Sequence, residues 1–187
     1  EHTLNTTRVK VIKDIINQDK IIVFSGKGST FCAGMDLKSM ENLSENEVFD
    51  GASDYRDLLQ IISNIKLPII SIINGHCLGG GMAFPSLSDI VISINDESTF
   101  GFPEITHGIT PALVSSTAIK RSKLSKSKYL MLSGETFNTN KAIEYGFVDK
   151  FESNKDDKSI FEIIQEQLNK LNNLDINYLK LIKSEET

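Results

Sequence analysis

The stretch LPIISIINGHCLGGGMA, residues 67–83, decides the fold. Its apolar part, Pro68 to Ile73, has the composition of a buried strand, and the glycine triplet 79–81 follows closely. A second stretch, FCAGMDL at residues 31–37, also places a glycine behind an apolar, strand-like run. Glycine permits the sharp turns and bare backbone that such positions need. Two such turns can direct two backbone N–H groups at one oxygen, which is the arrangement of an oxyanion hole.

Strand-like and helix-like segments alternate along the chain. Short apolar runs predict strands at 21–24, 68–73, 90–92 and 147–150. Apolar residues at helical spacing, with their caps, predict helices at 7–18, 55–65, 81–87, 110–121, 126–133, from Asn138-Thr139 to Gly146, and 159–171. Segment 41–52 is polar and carries a capping-box pattern at Ser44 and Glu47, so it is predicted to be a helical or mobile surface segment. The alternation indicates an α/β fold with parallel strands.

The composition excludes several classes of protein. With 187 residues, 40% of them hydrophobic and 24% charged, the chain has the size and balance of one soluble globular domain. A formal net charge of -5 gives no support for nucleic-acid binding. The absence of a long apolar run predicts no membrane span. Two cysteines in the glycine turns are expected to be reduced thiols, which indicates a reducing, cytoplasmic compartment.

A third stretch, FGFPEITHGITPA at residues 100–112, supplies a candidate acid at Glu104. A glutamate between a strand and a helix is, taken alone, most often a solvated surface residue. The three stretches together, in this order, resemble the crotonase (enoyl-CoA hydratase/isomerase) superfamily. The resemblance implies that Glu104 is the catalytic acid/base and that the amides of Met35 and Gly80 form the oxyanion hole. It assigns to substrate binding Ala33, Gly34, Asp36, Gly79 and Gly81.

The resemblance also implies an architecture and a set of partners. The expected fold is a crotonase-like ββα superhelix with parallel strands, whose core occupies residues 1–153 with its N-terminal strands missing. Residues 154–187 are expected to form a truncated C-terminal helical segment. The substrate would be carried on CoA or on the phosphopantetheine of an acyl carrier protein, with no metal or redox cofactor. A homotrimer or hexamer is expected, with no nucleic-acid or membrane partner.

One residue departs from the family pattern. Ala83 stands where two-glutamate hydratases carry a second glutamate, three residues after Gly80. Single-glutamate members include certain enoyl-CoA isomerases, hydroxycinnamoyl-CoA hydratase-lyases and dehydratases of polyketide β-branching. The resemblance therefore implies a hydratase/isomerase-type lyase or isomerase that stabilises a thioester enolate. The alternatives are a dehydratase or decarboxylase of polyketide β-branching, or a non-catalytic thioester-binding subunit.

Other polar residues have simpler interpretations. His107 follows Glu104 by three residues and would share its face on a helix, although a partly exposed histidine near a turn is the commoner case. His76 is expected to pack or to bond to backbone, and Asp36 to cap a helix. Three scattered histidines with two cysteines give no metal-ligand spacing. A basic cluster is expected to be a solvated face, or a surface for CoA phosphates or an acidic carrier protein; it comprises Lys120, Arg121, Lys123, Lys126 and Lys128.

Overall fold

The computed structural model describes residues 3–16, 19–122, 124–153 and 159–184. Its strands form two four-stranded sheets. The strands of the first sheet are all parallel, in the order β1 (Ile22–Ser25), β3 (Ile69–Ile73), β5 (Ile90–Ser93) and β8 (Lys150–Phe151). The second sheet has the order β2 (Thr30–Cys32), β4 (His76–Leu78), β6 (Thr99–Gly101) and β7 (Thr136–Asn138), and only β7 runs antiparallel to its neighbour.

Most of the helices lie between successive strands, whereas the first helix precedes β1 and the last two helices follow β8. Their bounds are α1 Thr6–Ile15, α2 Leu37–Met40, α3 Glu45–Ser63, α4 Ala83–Ser86, α5 Ala112–Arg121, α6 Leu124–Ser133, α7 Thr139–Tyr145, α8 Ile160–Asn172 and α9 Ile176–Ser184. Two short 3-10 helices lie at Gly79–Met82 and Pro103–His107. Each of β1, β3 and β5 is followed by a strand of the second sheet, which gives the repeating strand–strand–helix order of the expected superhelix. None of the helices in the described ranges is long and apolar enough to cross a membrane.

Strand β3 of the first sheet is buried on both faces. Ile69 and Ile73 of β3 face the larger core cluster, whereas Ile70 and Ile72 face a smaller one that includes Ile163 of α8. All four isoleucines of β3 have no exposed surface, and burying each contributes about 2 kcal/mol. A strand covered on both faces needs a continuous apolar run instead of an alternating one, which is why residues 69–73 are so apolar.

Most predicted elements are confirmed, with shifted ends. The largest difference is that most of segments 41–52 and 55–65 lies in one helix, α3, which begins with the predicted capping box between Ser44 and Glu47. The last predicted strand, 147–150, is instead Lys150–Phe151, because Phe147 and Val148 turn into the core before the strand begins. Helix α1 ends at Ile15, and residues 17–18 of its prediction lie outside the described residues.

The second sheet and α9 were not predicted. Each strand of the second sheet has three residues, too few to show an alternating pattern. Strand β4 lies between β3 and the glycine triplet that follows it closely in the sequence. This second sheet, which the sequence pattern does not reveal, carries the glycine turns of the candidate site.

Candidate active site

The two glycine turns, the 3-10 helix 103–107 and helix α3 enclose one cavity of about 400 Å³. Six of the predicted site residues line it, namely Ala33, Gly34, Met35, Gly79, Gly80 and Glu104. The other two are not among its lining residues. Asp36 caps α2, where its carboxylate accepts a hydrogen bond from the Ser39 N–H at 3.3 Å, as predicted. Gly81 is buried against β2.

The first turn is fixed by pairing with the N-terminal segment. The Leu4 N–H donates to the Gly34 carbonyl at 2.7 Å, and the Asp36 N–H donates to the Leu4 carbonyl at 2.8 Å. These two hydrogen bonds use the Gly34 carbonyl and the Asp36 N–H, and neither of them uses the Met35 N–H. Because neighbouring peptide groups of an extended chain point in opposite directions, the Met35 N–H points away from Leu4.

The second turn lies directly against the first. Strands β2 and β4 are paired with Cys32 opposite Cys77, so the turns that follow them are side by side. A Cβ atom built on Gly34, where φ is 81°, would lie 3.0 Å from the Gly80 nitrogen. A Cβ on Gly81 would lie 2.4 Å from the Cys32 carbonyl oxygen, so no side chain fits there. Gly80 lies in the first turn of a 3-10 helix, whose N–H groups have no acceptor within that helix.

Glu104 faces the second turn from the opposite wall. It lies on the 3-10 helix Pro103–His107, which stops before Gly108, a residue with a φ of 71°. A Cβ on Gly79 would lie 3.1 Å from Glu104 Oε1, and Glu104 Oε2 is buried without a hydrogen-bond partner. Burial raises the pKa of the Glu104 carboxyl above its ordinary value, and a hydrogen bond to its own backbone only partly offsets this. A carboxylate without water around it is a stronger base than one in solution.

The histidines have different surroundings. His107 is exposed but lines the cavity, on the same short helix as Glu104. His76 Nδ1 accepts a hydrogen bond from the Thr99 N–H at 3.3 Å, which confirms its predicted bonding to backbone. His2 lies outside the described residues. Within the described ranges, no group of three His, Cys, Asp or Glu side chains is placed to hold a metal ion.

Tyr55 is the site residue that the sequence reasoning missed. It is the first residue of the predicted helix 55–65, where its spacing suggests only a core position, yet it lines the cavity and its hydroxyl donates to the Gly80 carbonyl. Its side chain is 1% exposed. A tyrosine within an apolar stripe carries a hydroxyl that needs a partner when buried, and this is the signal that could have revealed it.

Ala83 and the described members of the basic cluster do not line the cavity. Ala83 begins α4 and is fully buried in the larger core cluster. Arg121 pairs with Asp149 at 2.7 Å, and the Lys126 ammonium lies 4.7 Å from the centre of the Tyr145 ring. Lys123 lies outside the described residues. Part of the cluster therefore stabilises the fold and is not a free basic face.

The enoyl-CoA hydratase/isomerase family model matches residues 3–185. The chain belongs to this family. Among its relatives are an enoyl-CoA isomerase/hydratase of Mycosarcoma maydis, 30% identical over 131 residues, and a hydroxycinnamoyl-CoA hydratase-lyase of Pseudomonas fluorescens, 32% identical over 159 residues. The alignments cover 70% and 79% of this chain, but only 48% and 56% of those relatives. The chain thus spans about half the length of these family members.

Solved structures of the family share the fold. The enoyl-CoA hydratase from Bacillus anthracis superimposes with a TM-score of 0.88 at 24% identity, over 97% of this chain and 72% of that one. The human enoyl-CoA hydratase domain-containing protein 3 gives a TM-score of 0.83 at 20% identity, over 97% and 73% of the two chains. The crotonase-like fold and the family predicted from the three stretches are therefore confirmed.

Proposed function

We propose that this protein acts on an acyl thioester carried by CoA or by an acyl carrier protein. The N–H groups of Met35 and Gly80 would donate hydrogen bonds to the thioester oxygen, and Glu104 would move a proton at the α or β carbon. The observation that carries the proposal is the position of Glu104, whose carboxylate faces the second glycine turn inside the cavity and whose Oε2 is buried without a hydrogen-bond partner. Ala33, Gly34 and Gly79 would contact the bound thioester as cavity walls.

The proposed chemistry is the formation and collapse of a thioester enolate. Removal of a proton next to the carbonyl places negative charge on the thioester oxygen. Each backbone donor fixed at that position lowers the barrier by about 3–4 kcal/mol, as oxyanion-hole deletions in other enzymes indicate. The raised pKa of Glu104 allows the carboxyl to take the proton and return it to another carbon or to a leaving group. These steps use side-chain and backbone groups of this chain only.

The cavity walls favour an uncharged acyl group. Apolar side chains make up most of the lining, among them Met40, Val48, Ala52, Leu113 and Val114. No lysine or arginine of the described ranges lines the cavity, so a carboxylate on the acyl chain would find no cation there and would be repelled by Glu104. We therefore expect an aliphatic or aromatic acyl group to bind in this cavity better than an acidic one.

A single carboxylate favours isomerisation or dehydration over simple hydration. Hydratases of the two-glutamate type hold water between two carboxylates, whereas Glu104 is the only carboxylate among the described residues that line this cavity. A double-bond shift or loss of water from a 3-hydroxyacyl thioester needs one group that removes a proton and then returns it. The trimeric or hexameric assembly that the family resemblance implies stays a prediction.

A panel of acyl-CoA and acyl-carrier-protein thioesters, read by mass spectrometry, tests the proposal. Turnover of an uncharged unsaturated or 3-hydroxyacyl thioester is expected, and Glu104→Gln should lower it roughly 100-fold or more while retaining binding. Glu97→Gln, which changes an exposed glutamate, is the matched control and should keep full turnover. Binding without turnover across the panel would instead indicate a thioester-binding subunit.

A further inference from the structure

Helix α3 brings one polar side chain to the glycine triplet. Tyr55 lies on the face of the helix that also buries Leu58 and Ile62, and its hydroxyl donates a hydrogen bond to the Gly80 carbonyl. Its ring also lies close to Gly80, because a Cβ built on Gly80 would lie 3.4 Å from the hydroxyl oxygen and 3.6 Å from Cζ. The same carbonyl accepts the Ala83 N–H, so both of its lone pairs are used.

Contacts from other segments, such as the Tyr55 hydrogen bond, help to fix the backbone of the glycine triplet. Three successive glycines carry no side chains that could hold them, and glycine has the widest choice of backbone conformations. The proposed oxyanion donor, the Gly80 N–H, belongs to the same residue whose carbonyl Tyr55 holds. The Gly80 N–H and carbonyl lie in adjacent peptide planes that meet at the Gly80 Cα. Fixing the carbonyl plane therefore limits the rotations by which the N–H plane could turn.

The Tyr55 hydroxyl is suited to act as a permanent hydrogen-bond donor. Burial raises the pKa of the Tyr55 hydroxyl well above its ordinary value, and the nearby acidic groups Cys32, Cys77 and Glu104 raise it further. The phenol therefore keeps its proton over the working pH range. Because its one proton is committed to Gly80, the hydroxyl is not available as an acid for substrate.

We infer that Tyr55 is a positioning residue, which holds Gly80 so that its N–H stays directed into the cavity. This inference rests on the proposed function, since it assigns Gly80 to the oxyanion hole. The variant Tyr55→Phe removes the hydroxyl and keeps the ring that forms part of the cavity wall. The Gly80 carbonyl would still accept from Ala83, so the variant is expected to fold.

Binding of cinnamoyl-CoA tests the inference by absorption spectroscopy. Hydrogen bonds to its carbonyl oxygen pull electrons along the conjugated chain and shift the absorption to longer wavelength, whether or not turnover follows. The wild-type protein should show this red shift. Tyr55→Phe should bind with a Kd within about threefold of wild type, lose most of the shift, and turn over the best substrate of the panel about tenfold more slowly with little change in KM.

Two control variants separate positioning from stability. Tyr129→Phe removes an exposed hydroxyl bonded to Glu135, and Ile62→Val weakens the core on the same face of α3; both should keep the full shift. If Tyr55→Phe keeps the wild-type shift and kcat, the positioning role is wrong while the proposed function stands. If wild-type protein binds cinnamoyl-CoA without a shift, the proposed oxyanion hole is wrong and so is the positioning role of Tyr55.

Discussion

The Gly79→Ala variant should separate backbone strain from displacement of the proposed base. Gly79 has a φ of 54°, a conformation that costs an alanine about 1–2 kcal/mol. For a protein of this size that loss corresponds to a fall in Tm of about 2–8 °C. The new Cβ would also lie 3.1 Å from Glu104 Oε1 and 3.3 Å from Cδ, so the carboxylate must move by a few tenths of an ångström. Turnover of the panel substrate should therefore fall about tenfold or more, since proton transfer depends steeply on position.

Gly146→Ala is the matched control for this variant. Gly146 has a φ of 87°, so it imposes a similar strain, but its Cβ would lie no closer than 3.5 Å to any atom, an ordinary contact with the Arg121 carbonyl. Thermal unfolding and turnover per folded molecule are measured for both variants. Both should lose stability, and only Gly79→Ala should lose turnover. Equal turnover in the two folded variants would refute the claim that the Gly79–Glu104 contact positions the base.

Three further predictions concern Glu104, the cysteines and the reaction. Because burial raises the pKa of Glu104, the folded state binds the proton more tightly than the unfolded state, so this stabilisation is complete below the ordinary value of 4.5 and is lost as pH rises through the raised pKa. Glu104→Gln should thus unfold at a higher temperature than wild type at neutral pH but not at low pH. The same Tm difference between variant and wild type at the two pH values would contradict this. Burial raises the pKa of the Cys32 thiol to about 11 and that of Cys77 well above its ordinary value, so a thiol reagent at mildly alkaline pH should label neither cysteine until urea is added. Crotonyl-CoA hydration should be slow beside double-bond isomerisation, and efficient hydration would show that another group replaces the carboxylate absent at Ala83.

The sequence predicts the parts of this molecule that are set by local patterns. The apolar run 69–73 and the helix between Asn138 and Gly146 are both confirmed, because each is determined by residues within a few positions. The second sheet was missed because its strands are three residues long and depend on pairing between distant segments, such as Cys32 with Cys77. Composition alone cannot reveal such pairings.

The candidate site was predicted mainly through family resemblance. Glycine turns and a glutamate turn are weak signals separately, and their convergence depends on the second sheet. Asp36 and Gly81 were assigned to substrate binding, but the structure places one as a helix cap and the other against β2, where glycine is required for close packing. Tyr55 was missed because a helical stripe shows which side chains are buried and does not show what a buried hydroxyl contacts.

Exchange of the α-hydrogens of a bound acyl thioester tests the central claim most directly. A saturated acyl-CoA incubated with the protein in D₂O should gain deuterium next to the carbonyl, because the proposed mechanism has Glu104 remove that proton while the amides of Met35 and Gly80 hold the enolate oxygen. Mass spectrometry of the recovered thioester measures the rate without requiring a complete reaction. We predict exchange with wild-type protein and roughly 100-fold slower exchange with Glu104→Gln. No exchange with wild type, or an equal rate with the variant, would contradict the account.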